Sequence, residues 1–360
     1  MSERVTRAGG AGAPAGQPAM ECPVPLPAGE SVLLGHGSGG RLTADLIRTV
    51  FLPAFGGREL SRLGDAAVVE AGSVRLAFTT DSFVVQPRFF PGSDIGALAV
   101  NGTVNDLAMM GATPLYLSAA LILEEGLPMD DLRRVVSSMA EACRVAGVEL
   151  VTGDTKVVER GSADGLYVTT AGVGLVPPEV DVGPERARPG DAVLVSGPIG
   201  AHGVAVMSRR AGIEFDGAVE SDSAPLTGLV AKMLAAGEVH ALRDATRGGV
   251  ASVLNEIAQA SSVSITTEED AYPIPDPVRG ACEMLGLDPL YVANEGVCVA
   301  VVAGPDSEAV LAAARADPLG RQAAVVGRIE EGGPAVRVRT GLGGSRPLVL
   351  LAGDQLPRIC

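Results

Sequence analysis

A Pro- and Gly-rich stretch at residues 177–190 interrupts a succession of strand and helix patterns, and that interruption constrains the architecture more than any other feature. Proline fixes φ and glycine frees it, so such a stretch ends regular elements and reads as a joint between domains. A strand pattern resumes at residues 192–196, and two α/β halves are expected. Length agrees, because 360 residues exceed what one hydrophobic core usually organises. The expected domains are a disordered leader at 1–30, an N-terminal domain at 31–185, a C-terminal α/β domain at 186–340 and a flexible tail at 341–360.

Residues 74–86 read as a strand running into Thr79-Thr80-Asp81, and residues 148–152 as another ending at Gly153-Asp154, so both carboxylates are expected where strands end. Residues 128–146 carry Met129, Leu132, Val136, Met139 and Cys143 at three- and four-residue spacing, an amphipathic helix stopped by Gly147 with Cys143 in the core. Val250, Val253, Leu254 and Ile257 define a further helix, and residues 297–302 a buried strand. After strand-like residues 335–339 come Gly341-Leu342-Gly343-Gly344 and a tail ending Pro357-Arg358-Ile359-Cys360. Twenty residues at about 3.3 Å each extend roughly 60 Å, a reach that can enter a distant pocket in this subunit or in a partner.

Composition excludes several function classes. A formal net charge of -15 repels phosphate backbones and anionic lipid, and 3% aromatic residues without Trp offer few stacking platforms, so no nucleic-acid partner is expected. The apolar run around residues 115–123 falls far short of the roughly 20 residues that span a bilayer, so no membrane span is expected either. The leader lacks an apolar signal core, which points to a cytoplasmic protein. Cys22, Cys143, Cys282, Cys298 and Cys360 are odd in number and lack paired ligand spacing, and the three histidines are scattered, so neither a disulfide framework nor a zinc site is expected.

The chemistry concentrates in aspartates. Asp65 in Leu63-Gly64-Asp65-Ala66-Ala67, Asp81, Asp106 in Asn101-Gly102-Thr103-Val104-Asn105-Asp106, and Asp154 come from separate segments. Buried together they cannot all stay ionised unless a cation neutralises them, and oxygen ligands alone point to magnesium held with a nucleotide's phosphates. Four solvated loop aspartates are the plain alternative. On the helix at residues 93–111, Asp94, Asn101 and Asn105 share a stripe that serves either a nucleotide or metal shell, or an internal amide network. Gly35-His36-Gly37-Ser38-Gly39-Gly40 and Thr246-Arg247-Gly248-Gly249 let backbone N–H groups approach phosphate, the second at a helix N-terminus with Arg247 as charge partner; neither is a Walker A sequence.

Two lysines, Lys156 and Lys232, stand against 26 arginines, so a surface cation here would ordinarily be Arg. Lys156 follows Gly153-Asp154-Thr155, where an amine can contact phosphate or, once desolvated, act as a base, which guanidinium cannot. Lys232 reads as a solvated helical residue. Glu295, just before the buried strand, is either a turn carboxylate or a second proton acceptor. Cys360 lies too near the end for prenylation; a terminal Cys is either accidental or a tethered, exposed thiol carrier.

Five segments resemble a known family: Thr79-Thr80-Asp81-Ser82-Phe83-Val84-Val85, the run from Asn101 to Ala108, Gly153-Asp154-Thr155-Lys156-Val157-Val158, Arg243-Asp244-Ala245-Thr246-Arg247-Gly248-Gly249 and the terminal Pro-Arg-Ile-Cys. They are similar to those of the HypE carbamoyl dehydratases of nickel-iron hydrogenase maturation, over about residues 31–360. The internal motifs are shared with the wider aminoimidazole ribonucleotide synthetase superfamily, including selenophosphate synthetase and thiamine monophosphate kinase. The terminal tetrapeptide separates HypE from them, and the long leader departs from the pattern. The resemblance implies a two-domain α/β fold with mixed sheets flanked by helices, a homodimer that pairs its N-terminal sheets, and ATP with magnesium in the N-terminal domain. It implies that HypF carbamoylates the terminal sulfur, that ATP drives dehydration to an S-cyano group, and that cyanide passes to iron on a HypC-HypD complex. By position it gives Asp65, Asp81, Asp106 and Asp154 to magnesium and phosphate. Lys156 and Glu295 go to proton transfer, and Gly37, Ser38, Gly39, Gly40, Asn101, Asn105, Thr155, Arg247, Gly248 and Gly249 to the nucleotide. A superfamily kinase or synthetase acting on a small diffusible substrate is the alternative, and a non-catalytic thiol carrier is a third reading.

Overall fold

Each half is built around one sheet, and the period-two alternation of its strands decides which side chains reach the site. The computed structural model describes residues 31–37, 39–212, 219–351, 353, 356 and 358–360; the leader with Cys22, Ser38 and Pro357 lie outside the described residues. Residues 31–33 are exposed, and Leu34–Cys360 form one unit. In the first half, β1 (Ala67–Ala71), β2 (Val74–Phe83), α1 (Ile95–Met109), β3 (Thr113–Glu124), α2 (Met129–Ala146), β4 (Glu149–Val158) and β5 (Leu166–Val176) follow in chain order. Their sheet has the order β1-β2-β5-β3-β4, antiparallel except for the β3/β4 pair. Along β5, Leu166, Val168, Thr170, Gly172, Gly174 and Val176 are buried, while the residues between them look outward. The buried set faces α1 and α2; the other face, with Phe78, Tyr116 and Leu175, is open.

Two expectations are corrected here. Asp81 and Asp154 lie inside β2 and β4 and not at strand ends. Gly153 does not stop its strand; a β-carbon there would strike the Ala119 carbonyl oxygen, so glycine serves the close approach of β4 to β3.

The second half contains β6 (Ala192–Val195), α3 (Ala201–Ala211), α4 (Thr227–Ala236), β7 (Val239–Asp244), α5 (Gly249–Ser261), β8 (Ser264–Glu268), α6 (Asp276–Leu285), β9 (Cys298–Val302), α7 (Ser307–Arg315), β10 (Ala324–Glu330), β11 (Ala335–Arg339) and β12 (Ser345–Pro347). The sheet order is β12-β11-β8-β10-β6-β9-β7. β9 is buried along its whole length because helices cover both faces. Val299 and Val301 pack with Val250, Leu254 and Ile257 of α5, whereas Cys298, Ala300 and Val302 pack with Leu229, Met233 and Val310 of α4 and α7. The C-terminal segment does not stand free from residue 341: β12 pairs with β11, and Leu348 is buried behind it. Among the described residues no helix is long and apolar enough to cross a membrane.

Helix α1 ties the halves together. It is buried nearly all round, with Leu98 and Val104 in the core of the first sheet and Ala108 and Met109 in a core shared with Leu194 and Leu229. A helix enclosed this way needs apolar or small residues on every face, which its sequence supplies. Asp94 is its N-cap, accepting from Gly96 N at 2.8 Å and Ala97 N at 3.2 Å, so this member of the polar stripe is structural. At Gly96 a β-carbon would run into the Val135 carbonyl and Ser138 of α2. Gly96→Ala should therefore lower stability by about 1–3 kcal/mol, read as a lower urea midpoint with unchanged slope; an unshifted midpoint would show that the α1/α2 contact does not need glycine.

Candidate active site

Four aspartates converge from four elements. Asp65 precedes β1, Asp81 lies on the helix-facing side of β2, Asp106 is in the last turn of α1, and Asp244 ends β7. One oxygen from each of Asp65, Asp106 and Asp244 lies within 4.8 Å of the others. Asp81 and Asp106 line the same cleft, and the Thr79 hydroxyl donates to Asp106 at 2.7 Å. The cluster floors a cleft of about 210 Å3 whose walls include Gly39, Arg247, Glu295 and Cys360. Arg243 reaches in from β7 and pairs with Asp65 at 3.0 Å and Glu256 at 2.8 Å.

Burial and mutual repulsion push these carboxyls upward. Asp65 is raised to about 6, chiefly by burial against the pull of Arg243. Asp106 and Asp244 stand well above the carboxylate range through burial and their acidic neighbours, and Asp81 is raised by burial, offset in part by Arg247. Glu295, 3% exposed, is likewise pushed well up, first by burial and then by Asp244, Asp222 and Asp81. Asp65 Oδ2 and Glu295 Oε1 are buried with no hydrogen-bond partner. An oxygen-only donor set with spare lone pairs and excess negative charge fits a hard divalent cation such as magnesium, which would be held by Asp65, Asp106 and Asp244.

The structure gathers Gly39, Arg247, Asp65, Asp81, Asp106, Glu295 and Cys360 around this cleft, with Gly248 capping and Gly249 opening α5 beside it. Gly37 accepts from Arg247 at 3.4 Å, and Gly40 caps the helix that starts at Arg41. Cys360 is corrected from exposed to buried, at 8%. Asp154 and Lys156 are not in the cleft. The register pairs Ser82 with Thr169, Thr169 with Ala120 and Ala120 with Asp154, all on the open face with Phe78, whereas Asp81 points to the helix side. There the Lys156 amine pairs with Asp154 at 2.7 Å, and both are largely exposed. Thr155 lies beside a separate groove between α2 and β4. Asn105 spends both ends of its amide inside the protein, donating to the Ala224 and Glu295 carbonyls and accepting from Leu226 N; Asn101 donates to Ser223. Asn105 thus joins an internal network, whereas Asn101 Oδ1 is buried with no hydrogen-bond partner. Lys232 pairs with Asp317 at 2.7 Å on α4.

Sequence reasoning missed Asp244, Arg243 and Asp222. The first two stand where a strand meets a Gly-rich helix start, the same signal that drew attention to Arg247. Asp222, raised to about 6 by burial while accepting from Glu295 N at 3.1 Å, sits in a loop with no periodicity to reveal it.

The class follows from comparison. Residues 63–176 match the family model "AIR synthase related protein, N-terminal domain" and residues 188–339 match "AIR synthase related protein, C-terminal domain", so the chain is an AIR synthase related protein. The carbamoyl dehydratase HypE of Cupriavidus necator is 54% identical over 330 residues, covering 91% of this chain and 94% of that protein. A crystal structure of the hydrogenase maturation protein HypE in complex with ATP is 48% identical, with a TM-score of 0.78 over 92% of this chain and 100% of that one. A HypE-HypF complex aligns with a TM-score of 0.81 at 46% identity, over 85% of this chain and 99% of that one. The chain belongs to the HypE family of carbamoyl dehydratases.

The raised carboxyls carry a pH signature. The folded-state value of Asp65, about 6, lies above the ordinary aspartate value of 3.8 that holds in the unfolded chain, so the folded chain binds this proton more tightly. Its contribution to stability is full below about pH 3.8 and is lost as pH rises through about 6. In metal-free buffer the urea midpoint should fall over this window, Asp65→Asn should flatten the fall, and magnesium should raise the midpoint near neutral pH. No magnesium response would remove the cluster's claim to a divalent ion.

Proposed function

We propose that this chain uses ATP to dehydrate a carbamoyl group carried on the sulfur of Cys360, leaving an S-cyano group destined for the iron of a nickel-iron hydrogenase. The observation that carries this reading is that Cys360 lines the same cleft as Asp81, Asp106, Asp244 and Glu295. The family supports the reaction, the ATP complex of a relative supports the nucleotide, and the HypE-HypF complex supports a HypF-type carbamoyl donor. A HypC-HypD iron-carrying complex is the acceptor in this reading, and the cytoplasm its compartment.

An amide oxygen leaves poorly and phosphate leaves well. Transfer of the terminal phosphoryl group from ATP to the carbamoyl oxygen releases ADP; the C–O bond then breaks, phosphate departs with that oxygen, and the nitrogen gives up both protons as C≡N forms. Magnesium, when bound, offsets the negative charge on the phosphates. Arg247, just before α5, would add a cation beside the helix N-terminus for the nucleotide's phosphates. Glu295 is the proton acceptor: buried, with one oxygen unbonded, it has a high affinity for a proton.

Asp154 and Lys156 enter through a second copy of the chain. The open sheet face combines apolar Phe78, 53% exposed, with Tyr116, Ile122 and Leu175, an area that a monomer leaves in water. Pairing two such faces in a homodimer would bring the Lys156 of each copy toward its neighbour. Phe78→Asp should convert the dimer to a monomer in analytical ultracentrifugation; a parent chain that already sediments as a monomer would refute the pairing.

Intact mass spectrometry of the C-terminal peptide, after carbamoylation by the cognate transferase, tests the reaction itself. ATP and magnesium should remove one water's mass from Cys360, Cys360→Ser should abolish modification, and Glu295→Gln should accept the carbamoyl group but dehydrate it at least about a hundredfold more slowly. ATP hydrolysis persisting in Cys360→Ser with a small substrate would favour the superfamily kinase instead.

A further inference from the structure

The last three residues are gripped through their main chain. Val84 N donates to the Cys360 carbonyl oxygen at 3.1 Å and Gln86 N to the Arg358 carbonyl at 3.3 Å, so the tail lies against the continuation of β2 like a short added strand. From the other side, Arg210 of α3 donates to the Arg358 carbonyl at 2.8 Å, and His202, in the first turn of α3, has Nε2 2.9 Å from the Ile359 carbonyl. A carbonyl only accepts, so Nε2 carries the hydrogen, and Nδ1, 2.9 Å from Ser221 Oγ, accepts from that hydroxyl. Burial holds the imidazole neutral, lowering its pKa to about 4. Phe90 meets the ring edge-to-face at 5.4 Å, so its orientation is fixed.

We propose that His202 is a positioning residue for the reaction, seating the Cys360 thiol in the cleft by donating from Nε2 to the carbonyl of the preceding residue. The inference rests on the dehydratase reading for its catalytic consequence, but not for the seating itself. A thiol that a protein partner must load cannot remain 8% exposed throughout the cycle, so the seat must be reversible. The donor addresses a peptide carbonyl, and chemistry at the sulfur leaves that carbonyl unchanged; bare, carbamoylated and cyanated tails therefore present the same acceptor. Geometry also links the seat to the proton acceptor. Ser221, which donates to His202 Nδ1, is followed directly by Asp222, which accepts from Glu295 N at 3.1 Å, so one loop contacts both the latch and the main chain of the carboxyl residue.

The test compares His202→Phe, which keeps the ring and its apolar contacts but removes the donor, with His202→Gln, which restores an N–H. Timed iodoacetamide labelling of the full chain is read peptide by peptide, with buried Cys143, Cys282 and Cys298 as internal reporters of global opening. His202→Phe should label Cys360 about tenfold faster with those three unchanged, and His202→Gln should recover most of the protection. Single-turnover dehydration of the carbamoylated chain should slow about tenfold in His202→Phe at unchanged ATP KM. Labelling of Cys360 at the parent rate would overturn the proposal. So would equal exposure of all four cysteines in both variants, which would mean that His202 only supports the fold, or faster labelling with dehydration at the parent rate. Should the parent chain itself fail to dehydrate, the labelling still decides the seat, and only the catalytic reading falls.

Discussion

Mutual repulsion among buried carboxylates is the constraint around which the two halves are arranged. Asp65, Asp81, Asp106 and Asp244 come from different segments, and no single element could bring them to one cleft, where an oxygen of each of Asp65, Asp106 and Asp244 lies within 4.8 Å of the others. Their burial is maintained by apolar packing elsewhere: α1 is enclosed by both halves and delivers Asp106, while β7 at the sheet edge delivers Asp244 together with its counter-charge Arg243. Such an arrangement is unfavourable by itself, because two guanidiniums, Arg243 and Arg247, cannot neutralise four aspartates together with Glu256 and Glu295. The deficit fits the proposed function, since a site short of positive charge suits a hard cation and the phosphates it would accompany.

Much of this was legible in the sequence wherever one period governed. The helix at Met129–Ala146 with its Gly147 stop, the buried strand at β9 and the division into two α/β halves all follow from spacing, because each element buries one face or two against a continuous core. Asp65, Asp81, Asp106, Glu295 and Cys360 could be singled out because polar residues at such positions lack a packing explanation. The misreadings share a cause. Asp81 and Asp154 look equivalent along the chain, yet they lie on opposite faces of one sheet, and facing depends on register with neighbouring strands that no local pattern encodes. Asn105 was ambiguous for a related reason: its partners Ala224, Leu226 and Glu295 are more than a hundred residues away. Asp222 had no signal at all, because the N–H it accepts from, that of Glu295, is 73 residues away.

The tail is seated by a small set of contacts. Leu356 and Ile359 are buried, at about 1.5–3 kcal/mol for each side chain, and a few hydrogen bonds add about 1 kcal/mol apiece. Fixing the backbone costs about 1–2 kcal/mol for each residue ordered, so gains and losses are of similar size over a segment this long. A tail held by many side-chain contacts would be seated permanently and could not be loaded by another protein. One held by none would present its thiol to the carboxylates too rarely for catalysis. Main-chain carbonyls gripped by His202 and Arg210, with two apolar anchors, give a hold strong enough to align the sulfur and weak enough to release it.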